Sequence, residues 1–192
     1  MINKKKVLIV SSGTKLLPIL KELMPSMEYS LSVVETIQEA KKKLRTIIFD
    51  YLLIQCPVKD EFGIKSAQEI VHSFSVGVIL LVKNDIFDQV TYRLKDDSIF
   101  VVSMPTNRQM LYQTICLMNT FISQKKVLEN EIKKLKKKMK DEHVVTQAKL
   151  VLIEQYHWSE QKAHHYIEKV AMDNSIPKIE VANKILEENK ND

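Results

Sequence analysis

The chain has 192 residues and a formal net charge of +5 at pH 7, with 45% hydrophobic and 28% charged residues, enough for one medium domain with an extension or for two small domains. Its only glycines are Gly13, Gly63 and Gly77, so neither a G-x-G-x-x-G turn nor a P-loop can be built, and nucleotide enzymes of those kinds are excluded. The cysteines, Cys56 and Cys116, stand too far apart for a C-x-x-C or zinc pattern and suggest a reducing compartment.

Residues 6–11 read as a buried strand. The basic start Met1-Ile-Asn-Lys-Lys-Lys has the opening of an export signal, but its apolar run breaks at Ser11-Ser12-Gly13-Thr14-Lys15; a strand and a cytoplasmic location are expected. Helical spacing follows over residues 16–24, with Pro18 in the first turn, and residues 32–35 form a short strand. The run Thr36-Ile-Gln-Glu39 is a capping box opening a helix to residue 45. Strands are predicted at 47–54, 76–82 and 98–103, and helices at 64–74 and 86–94. The longest apolar run, residues 76–82, is far too short for a bilayer, so no membrane partner is expected. Near-continuous apolar strands alternating with helices predict an α/β fold: a flavodoxin-like five-stranded parallel sheet covered on both faces, with any ligand site at the carboxyl ends of the strands.

After Pro105 the character changes. Residues 106–140 carry nine Lys or Arg against two acids, a local +7 centred on Lys133, Lys134, Lys136, Lys137, Lys138 and Lys140. Such a cluster either meets a polyanion or is a solvated helix face. Thr114, Met118, Phe121, Lys125, Leu128, Ile132, Leu135 and Met139 recur at steps of four and three, a heptad seam. A coiled-coil dimerisation helix over residues 111–141 is the favoured reading, with a dimer seam of Met118, Phe121, Leu128, Ile132, Leu135 and Met139. The alternative is one long helix packed on its own first domain.

Residues 141–192 carry −4, and residues 142–192 hold three helical patterns. Val144, Ala148, Val151, Leu152 and Gln155 mark the first, either a continuation of the coil or a helix of its own. Tyr156-His157-Trp158-Ser159 breaks it, with Ser159 as the next N-cap and Trp158 packing back. Ala163, Tyr166, Ile167, Val170 and Ala171 mark the second. At Asp173-Asn174-Ser175-Ile176-Pro177, Ser175 is the expected N-cap and Pro177 lies in the first turn of the third, whose apolar face is Ile179, Ala182, Ile185 and Leu186. No histidine pair has chelating i,i+4 spacing, and no catalytic constellation is present, so no metal, no cofactor and no enzyme activity are expected.

Residues 5 to about 122 resemble the receiver domain of bacterial response regulators, through element order, strand spacing, Asp50-Tyr-Leu-Leu-Ile-Gln55 and Pro105. The resemblance implies an aspartate nucleophile, an acid pair for Mg²⁺, a hydroxyl and a lysine. At the matching positions stand Gln55, the pair Ser11 and Ser12, Val82 and Met104. An amide cannot form an acyl phosphate and serines are poor magnesium ligands. The resemblance therefore implies a pseudo-receiver over residues 1–122 that takes up no phosphate.

Ala148-Lys149, Ser159-Glu160 with Ala163, Ala171-Met172-Asp173-Asn174, and Val181-Ala182 with Ile185-Leu186 resemble the ANTAR domain, the three-helix RNA-binding module of transcription antitermination regulators. The resemblance implies a dimer that holds paired hairpins of a nascent leader transcript and so prevents a terminator from forming. It implies RNA contacts at Lys149, Lys169, Asn174, Ser175 and Lys178. Where the family often has two successive basic residues this chain has Glu168 and Lys169, so only Lys169 carries over. The lysines of residues 133–140 are an auxiliary phosphate-attracting stretch, and Met172 and Asp173 are assigned to core and turn. The expected partners are RNA hairpins, a second copy of the chain, and a regulatory protein in place of phosphorylation. A DNA-binding regulator or a receiver-like interaction scaffold is the alternative. The helix from Lys178 offers few base-reading side chains against three glutamates, which weighs against DNA.

Overall fold

The computed structural model describes residues 4–13, 15–74 and 76–191. Met1, Ile2, Asn3 and Thr14, which belong to the basic start and to the break behind it, lie outside them. The chain divides into two compact units, Met1–Lys125 and Lys126–Asp192.

The first unit alternates as its apolar runs predict: β1 (Lys5–Val10), α1 (Leu16–Leu23), β2 (Tyr29–Val34), α2 (Ile37–Thr46), β3 (Tyr51–Gln55), α3 (Ile64–Phe74), β4 (Gly77–Lys83), α4 (Phe87–Arg93) and β5 (Ile99–Met104), followed by the start of α5 (Arg108–Tyr156). The five strands form one parallel sheet in the order β2-β1-β3-β4-β5. Strands covered on both faces need no polar alternation, and Val7–Val10, Leu52–Ile54 and Val78–Val82 are buried throughout. Even-numbered residues of β1 and β3 join α2, α3 and α4 on one face, through Leu8, Val10, Leu52 and Ile54 against Ile37, Ala40, Ala67, Ile70 and Val90. Odd-numbered ones join α1 and α5 on the other, where Val7, Ile9 and Leu53 meet Leu16, Leu20, Leu111, Ile115 and Met118. Each such aliphatic side chain contributes about 1.5–3 kcal/mol on burial.

Three local findings refine the expected elements. β3 starts at Tyr51 and not near residue 47, because β1 offers Tyr51 its first ladder partner at Val7, while Ile48 stays 90% exposed. Thr36 caps α2 by accepting from the Glu39 backbone N–H at 3.2 Å. The return contact of the capping box falls one residue early: Glu39 accepts from the N–H of Glu35, and the carboxylate of Asp60 takes the N–H groups of Ile37 and Gln38. Gly63, at φ +89°, turns the chain into α3 where a Cβ would meet Val58 and the Cys56 sulfur.

The second unit is the later part of α5 with α6 (Glu160–Asp173) and α7 (Lys178–Asn191). The first of the three expected C-terminal helices is thus continuous with the long helix. The core is small: Ala148 and Leu152 of α5, Ala163, Ile167 and Ala171 of α6, and Val181 and Ala182 of α7. Four of these seven buried residues are alanines.

Candidate nucleic-acid interface

α5 ends at Tyr156 because His157 takes a left-handed conformation, φ 51°. Ser159 then caps α6, its hydroxyl accepting from the Lys162 N–H at 3.2 Å, as its position predicts. Trp158 packs against the small core and touches the rings of Tyr156 and Tyr166.

Farther back along α5, beside the start of α7, lies a cleft of about 720 Å³. Lys134, Lys137, Lys138, Asp141, Val145 and Lys149 line it from α5, at the three- and four-residue steps that place side chains on one helix face. His164 lines it from α6, and Pro177 with Lys178 from the start of α7. Four lysines of α5 and one of α7 thus converge beside the first turn of α7, whose unpaired backbone N–H groups favour an anion.

The cations do not stand alone. Lys149 Nζ lies 2.9 Å from a carboxylate oxygen of Glu160, and Lys178 pairs with Glu168, which also lies 3.2 Å from His164 Nε2. The lysines hold both carboxyls below the usual carboxylate range. Lys138 pairs along the helix with Glu142 at 3.8 Å. All three pairs have an exposed carboxylate or ammonium and are exchangeable with solvent ions or phosphates. The i,i+4 spacing of His164 and Glu168 is readable in sequence. The reach of Glu160 to Lys149 across two helices is not.

Of the residues expected to meet RNA, the structure brings Lys149 and Lys178 onto the cleft together with Lys134, Lys137 and Lys138. Lys133, Lys136 and Lys140 are exposed but do not line it, and neither do Lys169, Asn174 and Ser175. Asn174 is the C-cap of α6, its side-chain amide donating to the Val170 carbonyl at 2.8 Å. Ser175 does not cap α7. It sits at φ 52° and ends α6, its N–H bonding the Met172 carbonyl while the Ile176 N–H reaches Ala171. Pro177 precedes α7 instead of lying inside its first turn. Met172, assigned to the core, is 78% exposed.

The heptad seam splits in two. Met118, expected in the dimer seam, is wholly buried against the chain's own sheet, and Phe121 packs edge-on against Phe100 of β5 at 5.9 Å. A sheet face needed covering, and the first turns of α5 are the segment that covers it. Leu128, Ile132, Leu135 and Met139 are instead 50–70% exposed.

The expected degenerate phosphorylation site lies at the carboxyl ends of β1, β3 and β5. Ser11 is buried and donates from Oγ to the Gln55 Oε1 at 2.6 Å, while Ser12 is exposed. Gln55 and Met104 line a small cleft of about 180 Å³ with Thr106 and Leu111. Val82, taken as the stand-in for the hydroxyl, does not line it. Its side chain is wholly buried in the opposite core, because alternation along β4 turns it to the face of α2–α4. Cys56 is buried, and burial pushes its thiol up to about 12. Among the described residues no group of three potential ligands could hold a metal, and no helix is long and apolar enough to cross a membrane.

Comparison with known proteins divides at the same place as the geometry. Residues 133–186 match the model of the ANTAR domain family. The first unit is similar to the receiver domain of an HD domain-containing protein from Pseudomonas fluorescens Pf-5, at 18% identity and a TM-score of 0.57, over 66% of this chain and 94% of that one. It is also similar to a CheY-like response regulator receiver domain protein from Methanospirillum hungatei JF-1, at 17% identity and a TM-score of 0.56, over 64% and 99%. A structure named as an adenylate cyclase from Rhodopirellula baltica matches at 16% identity and a TM-score of 0.59, over 70% and 99%. At these identities the likeness establishes the receiver fold alone. No curated protein matches the chain.

Proposed function

We propose that this chain, an ANTAR domain carried on a receiver-like fold, is an RNA-binding transcription antiterminator. Acting as a dimer, it binds paired hairpins in a nascent leader transcript and so keeps an overlapping terminator from forming. The reading places it in the cytoplasm, without cofactor, metal or catalysis of its own. What carries it is the cleft within the ANTAR match, which Lys134, Lys137, Lys138, Lys149 and Lys178 line together. Five ammonium groups around one concave surface suit the phosphates of an A-form stem, and exchange of Glu160 and Glu168 for phosphate oxygens is eased because one partner of each pair, Glu160 and Lys178, is exposed.

The mechanism is differential binding. A leader transcript has two mutually exclusive folds, and a protein that binds one of them shifts the population by its difference in affinity for the two. Raising the favoured fold from one part in a hundred to ninety-nine requires roughly 10⁴-fold discrimination. Two modules engaging two linked hairpins reach that figure through effective concentration, which is the reason a dimer is required. The exposed apolar positions Leu128, Ile132, Leu135 and Met139 supply its seam. Lys169, Asn174 and Ser175, away from the cleft, are assigned to a separate edge of the RNA surface, with Lys133, Lys136 and Lys140 adding long-range attraction.

In a gel-shift comparison, paired hairpin RNA is expected to bind at least tenfold more tightly than duplex DNA of equal length. Equal affinity for the two overturns the antiterminator reading in favour of a DNA-binding regulator. Control of the receiver unit is assigned to a protein partner or to assembly. Incubation with acetyl phosphate and Mg²⁺ is accordingly expected to leave the intact mass unchanged; a phosphoryl adduct on this unit overturns the pseudo-receiver assignment.

A further inference from the structure

On the face of the sheet that α1 and α5 cover, the cover is incomplete. Alternation along β1 and β2 turns Lys5 and Tyr29 to the same face as Val7, Ile9 and Leu31. The six residues of β1 run about 20 Å, whereas the eight of α1 run only about 12 Å and end at Leu23. Beyond that end a cavity of about 740 Å³ opens between α5, the connection over residues 24–28 and the first residues of β1 and β2. Leu23, Pro25 and Ile115 are its apolar lining. Arg108 and Glu22 also line it, but they lie 2.7 Å apart and neutralise each other.

The polar groups around Tyr29 are incompletely satisfied. Its hydroxyl accepts from the Asn119 amide at 2.7 Å, and its own proton has no acceptor among the described residues. Asn119 Oδ1 is buried with no partner among them either, a deficit that native interiors rarely keep. Burial, with a smaller contribution from the Glu28 charge, pushes the Tyr29 hydroxyl above its ordinary range against the Asn119 bond, so it remains a donor at neutral pH. Lys5 is half-buried, its Nζ 5.9 Å from the centre of the Tyr29 ring, and among the described residues it has no ion-pair partner. Glu28 is exposed, lines the same cavity and likewise has none. The Lys5 N–H donates to the Glu28 carbonyl at 2.8 Å, so the two unmatched charges spring from neighbouring backbone.

We propose that this cavity binds a free α-amino acid with an apolar side chain. The carboxylate of the ligand accepts from the Tyr29 hydroxyl and meets the Lys5 ammonium. Its own ammonium faces Glu28, and its side chain lies on Leu23, Pro25 and Ile115. Such a molecule carries both charges at one end and its apolar body at the other, which is the order in which this lining presents their complements. A dianion would meet the carboxylates of Glu22 and Glu28. A simple amine would leave Lys5 and the Tyr29 proton unmatched, and a hydrocarbon would leave Glu28 unmatched as well. The volume falls in the range of about 300–1,000 Å³ usual for small-molecule sites. The site lies wholly within the first unit and is independent of the antiterminator reading.

The cavity holds its own reporter. Cys116 lines it and is exposed, whereas Cys56 is buried with its thiol pushed up to about 12, so iodoacetamide at neutral pH reaches Cys116 first. The full-length protein, titrated by calorimetry with L-leucine, L-methionine and L-phenylalanine, is expected to bind at least one with a dissociation constant below about 1 mM. At saturation that amino acid slows Cys116 alkylation, read by intact mass. The same side chain on a carboxylate alone (4-methylpentanoate for leucine) or on an amine alone (3-methylbutylamine) binds about tenfold more weakly or worse, for want of one charge-assisted contact. Tyr29→Phe weakens binding about 10- to 100-fold, the worth of a hydrogen bond to a charged group. Glu28→Gln, at an exposed position that leaves packing intact, weakens it about 2- to 5-fold. Hairpin RNA binding is expected to be the same in both variants, which separates this site from the RNA surface. Failure of all three amino acids to bind overturns the site. Equal affinity for leucine and 4-methylpentanoate overturns the amino-acid assignment. Binding that neither variant weakens, with Cys116 unprotected, places the ligand elsewhere and overturns the proposal as well.

Discussion

Replacing Lys149 and Lys178 together by alanine is expected to weaken hairpin RNA binding by about 100-fold near 0.1 M salt, and to flatten the salt dependence by one to two units of slope. Both ammonium groups line the same cleft, and each removes one phosphate contact. The loss also exposes what they neutralise. Glu160 and Glu168 are held ionised beside them, so their removal leaves two uncompensated carboxylates facing the incoming phosphates. Neither lysine belongs to the small core of Ala148, Leu152, Ala163, Ile167, Ala171, Val181 and Ala182, so the melting temperature should move little. Fluorescence anisotropy across a salt series measures the effect. A matched Lys169→Ala control, on α6 but off the cleft, is expected to cost no more than a few-fold. Equal losses in the two proteins would place the phosphate surface elsewhere.

The second large effect separates the two halves of the heptad seam. Met118→Ala is expected to destabilise the first unit by about 2–5 kcal/mol, because its side chain is wholly buried and fills the space left open by Gly77. Its sulfur lies so close to Gly77 that even a Cβ there would displace it. Leu128, Ile132 and Leu135, mutated together to alanine, should each alter the stability of a single copy by less than about 0.5 kcal/mol, since they are more than half-exposed or nearly so. Their effect should instead appear in assembly, as a rise of about 100-fold or more in the dissociation constant of the dimer, from apolar area lost in both copies. Urea melts read the first quantity and sedimentation equilibrium the second. A triple variant that dimerises as the parent does would assign the stripe another role.

The heptad seam shows where the sequence is legible and where it stops. Continuous aliphatic runs such as Val7–Val10 and Val78–Val82 announce strands buried on both faces, and the five-stranded sheet follows from them. Steps of four and three from Thr114 to Met139 announce a helix with an apolar stripe. Periodicity does not say what covers that stripe, and the sheet claims Met118 and Phe121 before a second copy can. The lysine run is legible as charge. Its division into Lys134, Lys137 and Lys138 on the cleft and Lys133, Lys136 and Lys140 off it depends on which side of α5 the other helices choose. The packing that settles it buries Ala148, Ala163, Ala171 and Ala182, small side chains that composition does not single out. Ser175 fails for a different reason. A serine ahead of a proline suits an N-cap, and only the backbone, turning left-handed to end α6, decides otherwise. Val82 misleads by a single step of strand alternation.

The hydrogen bond from Ser11 to Gln55 has a wider implication. Three clustered acids would repel one another and need a divalent ion to quiet them. A hydroxyl and an amide satisfy each other and carry no charge at any physiological pH. On the pseudo-receiver reading proposed above, the upper rim of the sheet is expected to be indifferent to the acyl-phosphate pool of the cell and to its free magnesium alike. The same reading then expects information to arrive by touch or by abundance: a neighbour that docks, or enough copies for pairs to form.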